Sequence, residues 1–310
     1  MEISIVYFSG TGNTARIAEE IAKRLEGFGH EVEAKPVEKV DPESLKGKAI
    51  GLGFPSYGLC YPSILEPFLQ SLPRAKEPVP AFVFSTHAWA SGDSLVCAAE
   101  KLLEKNIMAV ARESFKAPSN GAATFFHKEH IMYRKMVKFE PGLRRKLDSF
   151  AAKVDEAFKR FQEKPFVDIG KKKWYNEILG FFARHVMERR LYRDFKVDKK
   201  RCIGCGRCVN QCPDDNLVMK DGKAEFIRGN DCLRCMRCIS ICPVDAILFG
   251  ERTRDKERYK AKLRDKLLKE ALSRGHEVSG QCERRYTGRL RTPGALPEED
   301  ASHEHDGVDQ

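Results

Sequence analysis

Eight of the eleven cysteines fall into two runs. The first is Cys202, Cys205, Cys208 and Cys212, followed by Pro213; the second is Cys232, Cys235, Cys238 and Cys242, followed by Pro243. Each run reads C-x-x-C-x-x-C-x-x-x-C-P, and every cysteine recurs thirty positions later, which is an internal repeat. A cubane [4Fe-4S] cluster needs four thiolates pointing inward, three from a closely spaced run and a fourth from elsewhere. Zinc sites also use C-x-x-C pairs, but they take four ligands and do not usually add a third cysteine at the same step. Disulfides need an oxidising compartment, and no secretory signal is read at the N terminus. The spacing therefore points to iron–sulfur ligation.

The stretch 199–250 closely resembles the bacterial 2[4Fe-4S] ferredoxins, in which the fourth cysteine of each run ligates the other cluster. The resemblance implies one cluster on Cys202, Cys205, Cys208 and Cys242 and another on Cys232, Cys235, Cys238 and Cys212. The second half keeps the C-P-V-D-A-I ending of that family. The first half departs from it, with Asp214, Asp215 and Asn216 where the second has Val244, Asp245 and Ala246.

A second chemistry-bearing stretch opens the chain. Residues 1–8 form a short apolar run rich in β-branched and aromatic residues, the pattern of a buried strand. Ser9, Gly10, Thr11, Gly12, Asn13 and Thr14 follow, then a helical pattern to about Phe28 with Ile17, Ile21 and Leu25 on its inner face. A strand, a small polar loop and a helix start together make an anion site, because unpaired N–H groups and the helix dipole face the ligand. The lysine of a Walker loop and the spacing of a dinucleotide fingerprint are both absent. Ser9, Thr11, Gly12 and Thr14 are instead similar to the phosphate loop T/S-x-T-G-x-T of the flavodoxins, which implies FMN bound through hydroxyls and backbone.

The elements that must position this loop keep the same rhythm. Strands are expected at 30–37, 48–54, 79–85 and 107–115, with helices at 64–72, to about Glu104, and at 141–162, where Leu143, Leu147, Phe150, Val154, Phe158 and Phe161 recur at helical spacing. Alternating β and α elements imply a parallel sheet covered on both faces, with ligands at the carboxyl ends of the strands. The expected fold is α/β: a flavodoxin-like, doubly wound, five-stranded parallel sheet, followed by a small α+β 2[4Fe-4S] ferredoxin-like module. In flavodoxins the loops after the third and fourth strands flank the flavin ring, which makes Tyr57 and Trp89 ring candidates here, with Tyr61 as a further one. His87 is read as a solvent-facing loop histidine, and 119–127 as a loop that either caps the site or carries a small insertion.

The domain reading is a flavodoxin-like FMN-binding domain at 1–165, a basic amphipathic helical linker at 166–198, the ferredoxin domain at 199–250, a charged helix at 251–274 and a disordered tail at 275–310. The linker carries Lys171, Lys172 and Lys173, then Trp174, Ile178, Phe181, Phe182, His185 and Tyr192 at the spacing of one helix face, with Arg184, Arg189 and Arg190 elsewhere. That stripe is expected to pack between the two modules, with peripheral membrane contact as the alternative. Lys220-Asp221-Gly222-Lys223 reads as a hairpin turn. The helix over 256–272 is expected to be exposed, with Leu263, Leu267 and Leu268 inward. Cys60, Cys97 and Cys282 are read as a loop, a buried helix and a tail cysteine, and His303 and His305 receive no role.

Composition narrows the function. The formal charge of +10 counts the ligand cysteines as neutral. Two oxidised clusters and an FMN phosphate bring it to about +4. Residues 1–165 carry 24 basic and 21 acidic side chains and residues 199–250 carry 9 and 6, so no concentrated basic domain suggests a nucleic-acid partner. No apolar run reaches the ~20 residues of a membrane span. Together the two halves resemble the flavodoxin–ferredoxin fusion family. The resemblance implies a cytoplasmic electron-transfer flavoprotein that passes single electrons between FMN, two low-potential clusters and an external redox protein. A flavin-dependent oxidoreductase acting on a quinone-like or other organic acceptor stays open beside it, as does a redox sensor without FMN. Whether the chain is an enzyme is left undecided by the sequence.

Overall fold

The computed structural model describes residues 1–182, 194–229 and 231–273. His185, Tyr192, Arg184, Arg189, Arg190, Cys282, His303, His305 and the expected tail all lie outside the described residues.

In the first half the strands are β1 (Glu2–Tyr7), β2 (Glu31–Pro36), β3 (Ala49–Pro55), β4 (Val79–His87) and β5 (Ile107–Lys116). The helices between and after them are α1 (Asn13–Gly27), α2 (Leu65–Ser71), α3 (Ser94–Leu103), two short helices α4 (Asn120–Phe125) and α5 (Ile131–Met136), and the long α6 (Leu143–Glu163). The five strands form one sheet in the order β2-β1-β3-β4-β5, and every neighbouring pair is parallel. Strand order reverses at β1, so the loop after β1 stands at the topological switch point, where such sheets bind ligands. The central strands β1, β3 and β4 are apolar almost throughout because helices cover both faces. One face buries Ile17, Ile21 and Leu25 of α1 and Leu143, Leu147, Phe150, Val154, Phe158 and Phe161 of α6. The other buries Leu65, Phe68 and Leu69 of α2 and Ala98, Ala99 and Leu102 of α3.

The glycines of β3 have a packing reason. A Cβ on Gly53 would lie 2.1 Å from the Phe84 ring, and one on Gly51 would lie 2.5 Å from the Phe82 ring. Their absence lets the two phenylalanines of β4 lie across β3. There Phe82 meets Phe150 and Phe158, and Phe84 meets Phe115, at centroid distances of 5.9, 6.2 and 6.5 Å.

The second half begins with α7 (Trp174–Phe182) and β6 (Phe195–Val197). It continues with α8 (Arg207–Asn210), the hairpin β7 (Leu217–Lys220) and β8 (Lys223–Phe226), α9 (Arg237–Ile241), β9 (Ile247–Phe249) and α10 (Ala261–Ser273). β6 pairs antiparallel with β9, and β7 with β8. The hairpin turns at Asp221 and Gly222, both with positive φ (49° and 70°), as a two-residue turn of matching twist requires. The thirty-residue repeat also shows in the backbone. Positive φ occurs at Gly204, Gly206 and Asp215, and again at Arg234, Met236 and Asp245.

Two expectations are corrected. The described part of the linker stripe does not pack between the modules, since Trp174, Ile178, Phe181 and Phe182 are exposed. The charged C-terminal helix, α10, turns Leu263, Leu267 and Leu268 inward as expected, but it is not merely an exposed element. It buries Leu268 in the core formed with α1 and α6, with Leu267 packed beside it, and Arg16 of α1 meets Asp265 at 3.1 Å. The helix uses the apolar side that Leu263, Leu267 and Leu268 supply, and α6 offers a covering surface.

Replacing Gly53 by Ala should lower stability by about 1–3 kcal/mol, because the Phe84 ring must move. Gly27, whose Cβ would meet nothing within 4 Å, serves as the control. Gly27→Ala should be neutral or stabilise by about 0.4–1 kcal/mol, both read by denaturant unfolding of the full chain.

Candidate functional site: a flavin-sized cavity closed by a cysteine loop

The loop between β1 and α1 is shaped as an anion cradle. Gly12 precedes α1 with φ of 95°, a left-handed conformation that glycine takes at no steric cost. As the first residues of the helix and the loop before it, Thr11, Gly12, Asn13 and Thr14 direct N–H groups that have no protein acceptor among the described residues. The Ala15 N–H is turned inward to the Ser9 hydroxyl at 3.2 Å. The Thr14 and Thr86 hydroxyls lie 2.8 Å apart in the buried interior and tie the loop to β4. Asn13 is buried; its amide donates to the Pro118 carbonyl at 2.9 Å and its oxygen accepts from Tyr259 at 2.7 Å.

A cavity of about 380 Å³ opens beside this cradle. Its walls come from Ser9–Thr11, Asn13 and Thr14; from 55–59 after β3; from 86–90 after β4; and from 117–121 after β5. These are the carboxyl ends of four strands. Tyr57 and Trp89 both line the cavity, whereas Tyr61 does not. The Tyr61 hydroxyl donates to Glu66 at 2.5 Å and its ring stands edge-on to Phe54. Trp89 is 78% exposed, so it stands at the cavity's lip with its ring unpacked. The stretch read as a possible cap does close one side, through Ser119, Asn120 and Gly121. Ser119 caps α4 by accepting from the Ala122 N–H at 3.1 Å.

His87 is not the solvent-facing residue expected. It lines the cavity, and its Nδ1 is buried without a hydrogen-bond partner among the described residues. Burial, and then Lys146 and Lys116, hold its imidazole below the ordinary value, so the ring is neutral at neutral pH. Asn120 Oδ1 is buried in the same wall, without a partner among the described residues. Free N–H groups at a helix start, unpartnered polar atoms in the wall and a volume in the range of small-ligand sites together fit a phosphate-bearing ligand of flavin size.

A fifth wall comes from the other half of the chain. Leu233 and Arg234, between Cys232 and Cys235, and Met236, directly after Cys235, complete the cavity lining. A Cβ on Gly10 would fall 2.3 Å from the Cys235 carbonyl oxygen, so backbone meets backbone at that point. Cys235 is buried in the same apolar cluster as Phe8, Phe54 and Tyr57. Arg237 fastens the junction: it donates to the Ser9 carbonyl at 3.0 Å, pairs with Glu38 at 2.6 Å and lies over the Phe8 ring. From the C-terminal side, Arg264 donates to the Thr11 carbonyl at 3.1 Å.

Four of the eight repeat cysteines have others of the repeat among the groups that shift them. Burial, then Cys242 and Cys202, push the Cys208 thiol up. Burial pushes the Cys235 thiol up to about 12 and the Cys238 thiol well above its ordinary value, with Cys212 and Cys232 among the neighbours of both. Cys212 is likewise a neighbour of Cys232. Cys242 is thus a neighbour of Cys208, and Cys212 of Cys232, Cys235 and Cys238, while Cys208 is also a neighbour of Cys238. Backbone N–H groups point at the sulfurs, from Asn216 to Cys212 at 3.4 Å, from Ala246 to Cys242 at 3.3 Å and from Arg234 to Cys232 at 3.3 Å. An all-thiol donor set with N–H···S contacts suits iron–sulfur clusters, whose charge such contacts offset. Cys205 is the one exposed ligand candidate; Cys202, Cys208, Cys235 and Cys242 are buried. Outside the repeat, Cys97 on α3 is half-buried rather than buried, with Cys60 as its hydrogen-bond neighbour.

Sequence reasoning missed Leu233, Arg234, Met236, Arg237, Tyr259 and Arg264. One signal was available: the first run reads C-I-G-C-G-R-C and the second C-L-R-C-M-R-C. Arg234 and Met236 keep the positive φ that glycine holds in the first run (54° and 62°), at a cost of about 1–2 kcal/mol each. Both side chains line the cavity.

The 4Fe-4S dicluster domain family matches residues 195–249. The flavodoxin of Megasphaera elsdenii is 33% identical over 94 residues, 29% of this chain and 69% of that protein. Among solved structures, the two-electron reduced Megasphaera elsdenii flavodoxin aligns with 50% of this chain and 98% of its own, at 20% identity and a TM-score of 0.38. A flavodoxin from the domain Archaea aligns with 50% of this chain and 99% of its own, at 23% identity and a TM-score of 0.34.

Replacing Asn13 by Ala leaves the Tyr259 hydroxyl and the Pro118 carbonyl without partners and should cost about 1–3 kcal/mol in thermal unfolding. Tyr61→Phe, outside the cavity, should leave flavin affinity unchanged, whereas Tyr57→Ala should weaken it, as read by titration of the flavin-free protein.

Proposed function

This chain belongs to the flavodoxin family and carries a 4Fe-4S dicluster domain behind its flavodoxin-like half, and from that premise we propose that it is a one-electron relay. In this reading the cavity beside Ser9–Thr14 holds FMN. One cluster sits on Cys202, Cys205, Cys208 and Cys242, and the other on Cys232, Cys235, Cys238 and Cys212. Bound FMN would supply a centre that takes one or two electrons, and each cluster one that takes a single electron at low potential.

The observation that carries the proposal is the seating of the Cys235 loop on the cavity. Its carbonyl abuts Gly10, and Leu233, Arg234 and Met236 form the cavity wall. A carrier with two unrelated cofactor domains on a loose tether would need no such junction. Here Met1–Gly275 forms a single compact unit that includes both halves. The fixed junction replaces a diffusional encounter by permanent proximity.

The chain's own groups have distinct tasks. The N–H groups of Thr11–Thr14, with the Ser9 and Thr11 hydroxyls, take the phosphate. Tyr57 and Trp89 stand on the wall and lip where a ring would lie. Leu233 and Met236 exclude water on the side of the cavity toward the cysteines. Arg237 holds the two backbones in register. The set containing Cys235 is therefore the inner one, and the set containing exposed Cys205 is the outer one, where an external redox protein comes closest. A reducing cytoplasm suits eight ligand thiols.

A second reading, a flavin-dependent oxidoreductase acting on a quinone-like acceptor, draws on the exposed lip at Trp89. The cavity, about 380 Å³, is near the lower end of the 300–1,000 Å³ that ligand sites span, roughly one ligand's worth of space. That favours the relay.

Paired cysteine variants test the ligand sets. Cys205→Ala and Cys242→Ala should each remove one four-iron cluster, and the double variant should lose no more iron than either single one. Cys205→Ala with Cys212→Ala should lose both clusters. Iron and sulfide analysis of anaerobically purified protein reads the result; sequential rather than crossed ligation would reverse the two double-variant outcomes.

A further inference from the structure

Helix α7 is amphipathic in the wrong sense for a packed helix. Trp174, Ile178 and Phe182 recur at one-turn intervals, with Tyr175 and Leu179 beside them, and together they form one face. That face points outward: Trp174 is 77% exposed, Ile178 62% and Phe182 52%. The polar and small side holds the helix to the body. The Asn176 amide donates to Asp93 at 2.7 Å, the Lys173 N–H donates to the same carboxylate at 3.2 Å, and Gly180 is buried. Lys172 pairs with Glu100 of α3. A surface helix ordinarily turns its apolar stripe to the core, so this one is anchored by its polar side and leaves its aromatic side uncovered among the described residues. Exposed apolar patches of this kind mark an interaction surface.

Charge indicates what covers it. Exposed Lys171 and Lys173 stand at the helix start, and neither makes an ion pair among the described residues. In sequence the helix is followed by Arg184, Arg189, Arg190 and Arg193 against the single Glu188. Trp, Tyr and Phe beside Lys and Arg are the residues that settle at a bilayer's headgroup boundary, where the rings reach the acyl region and the cations meet anionic lipid. No described helix is long and apolar enough to cross a membrane, and this one would lie flat.

We propose that α7 lays its Trp174–Ile178–Phe182 face on an anionic lipid bilayer and holds the protein at the membrane surface. The inference is independent of the electron-transfer reading, because it uses no group of the cavity or of the cysteine repeat.

The test is co-sedimentation of the holoprotein with vesicles of mixed phosphatidylglycerol and phosphatidylcholine, against phosphatidylcholine alone. The emission of the chain's two tryptophans, Trp89 and Trp174, is recorded alongside. The expected result is binding to the anionic vesicles, weakened by salt, with a blue shift that Trp174→Phe removes. Ile178→Glu with Phe182→Glu, both on the exposed face, should lower binding at least about tenfold while the iron and flavin content stays unchanged. Failure of the wild-type protein to bind anionic vesicles would overturn the proposal. So would Trp174 emission already blue-shifted without lipid, or a concentration-dependent dimer abolished by the same double substitution, since either assigns the face to another protein surface.

Discussion

At Gly10 the backbone of one half of this protein touches the backbone of the other. There is no room for even a methyl group between the phosphate loop and the Cys235 carbonyl. The rest of the arrangement depends on that contact. It lets Leu233, Arg234 and Met236 serve as a wall of the cavity, buries Cys235 among Phe8, Phe54 and Tyr57, and places Arg237 over Phe8 within reach of Ser9 and Glu38. A parallel sheet with its switch point at β1 leaves a crevice at the strand ends. Here the second module fills one side of that crevice. The two halves are in this sense one site assembled from two folds.

The junction also accounts for how the repeat has diverged. Both cysteine runs use the same left-handed turns. In the outer run those turns hold Gly204 and Gly206, and Gly204 itself packs against the Gly222 carbonyl, which a side chain would strike. In the inner run Arg234 and Met236 occupy the same turns. Both line the cavity, and backbone strain of this kind clusters at functional sites. Polarity follows the same division. The outer run keeps an exposed cysteine, and the inner run is covered by the flavodoxin-like half.

Much of this was legible in the sequence, for identifiable reasons. Strand periodicity and length placed all five strands of the sheet to within about two residues, because central parallel strands are apolar runs bounded by glycine and polar loops. The cysteine spacing and the loop Ser9–Thr14 were legible because their chemistry demands fixed intervals. What was missed is contact between residues more than two hundred positions apart: Tyr259 on Asn13, Arg264 on Thr11 and Arg237 on Ser9. No local pattern encodes such pairs. Of the expected aromatic stripe, Trp174, Ile178 and Phe182 share one face of α7, but that face points outward, because periodicity finds a face without saying what it meets. Here the anchoring carboxylate, Asp93, lies in a different loop. His87 was misplaced for a similar reason, since its neighbours Lys116 and Lys146 come from β5 and α6.

The proposed relay requires that the inner cysteine set and the flavin cavity share a wall. The most direct measurement is an anaerobic redox titration that follows flavin absorbance and cluster EPR together, in the wild-type protein and in Cys238→Ala and Cys205→Ala variants. The account predicts that one flavin and two clusters titrate in the wild type. It also predicts that the flavin midpoint shifts when the inner set is disabled and stays in place when the outer set is. A flavin midpoint equally indifferent to both changes would contradict the shared wall, and absence of flavin from protein with intact clusters would contradict the cavity's assignment itself.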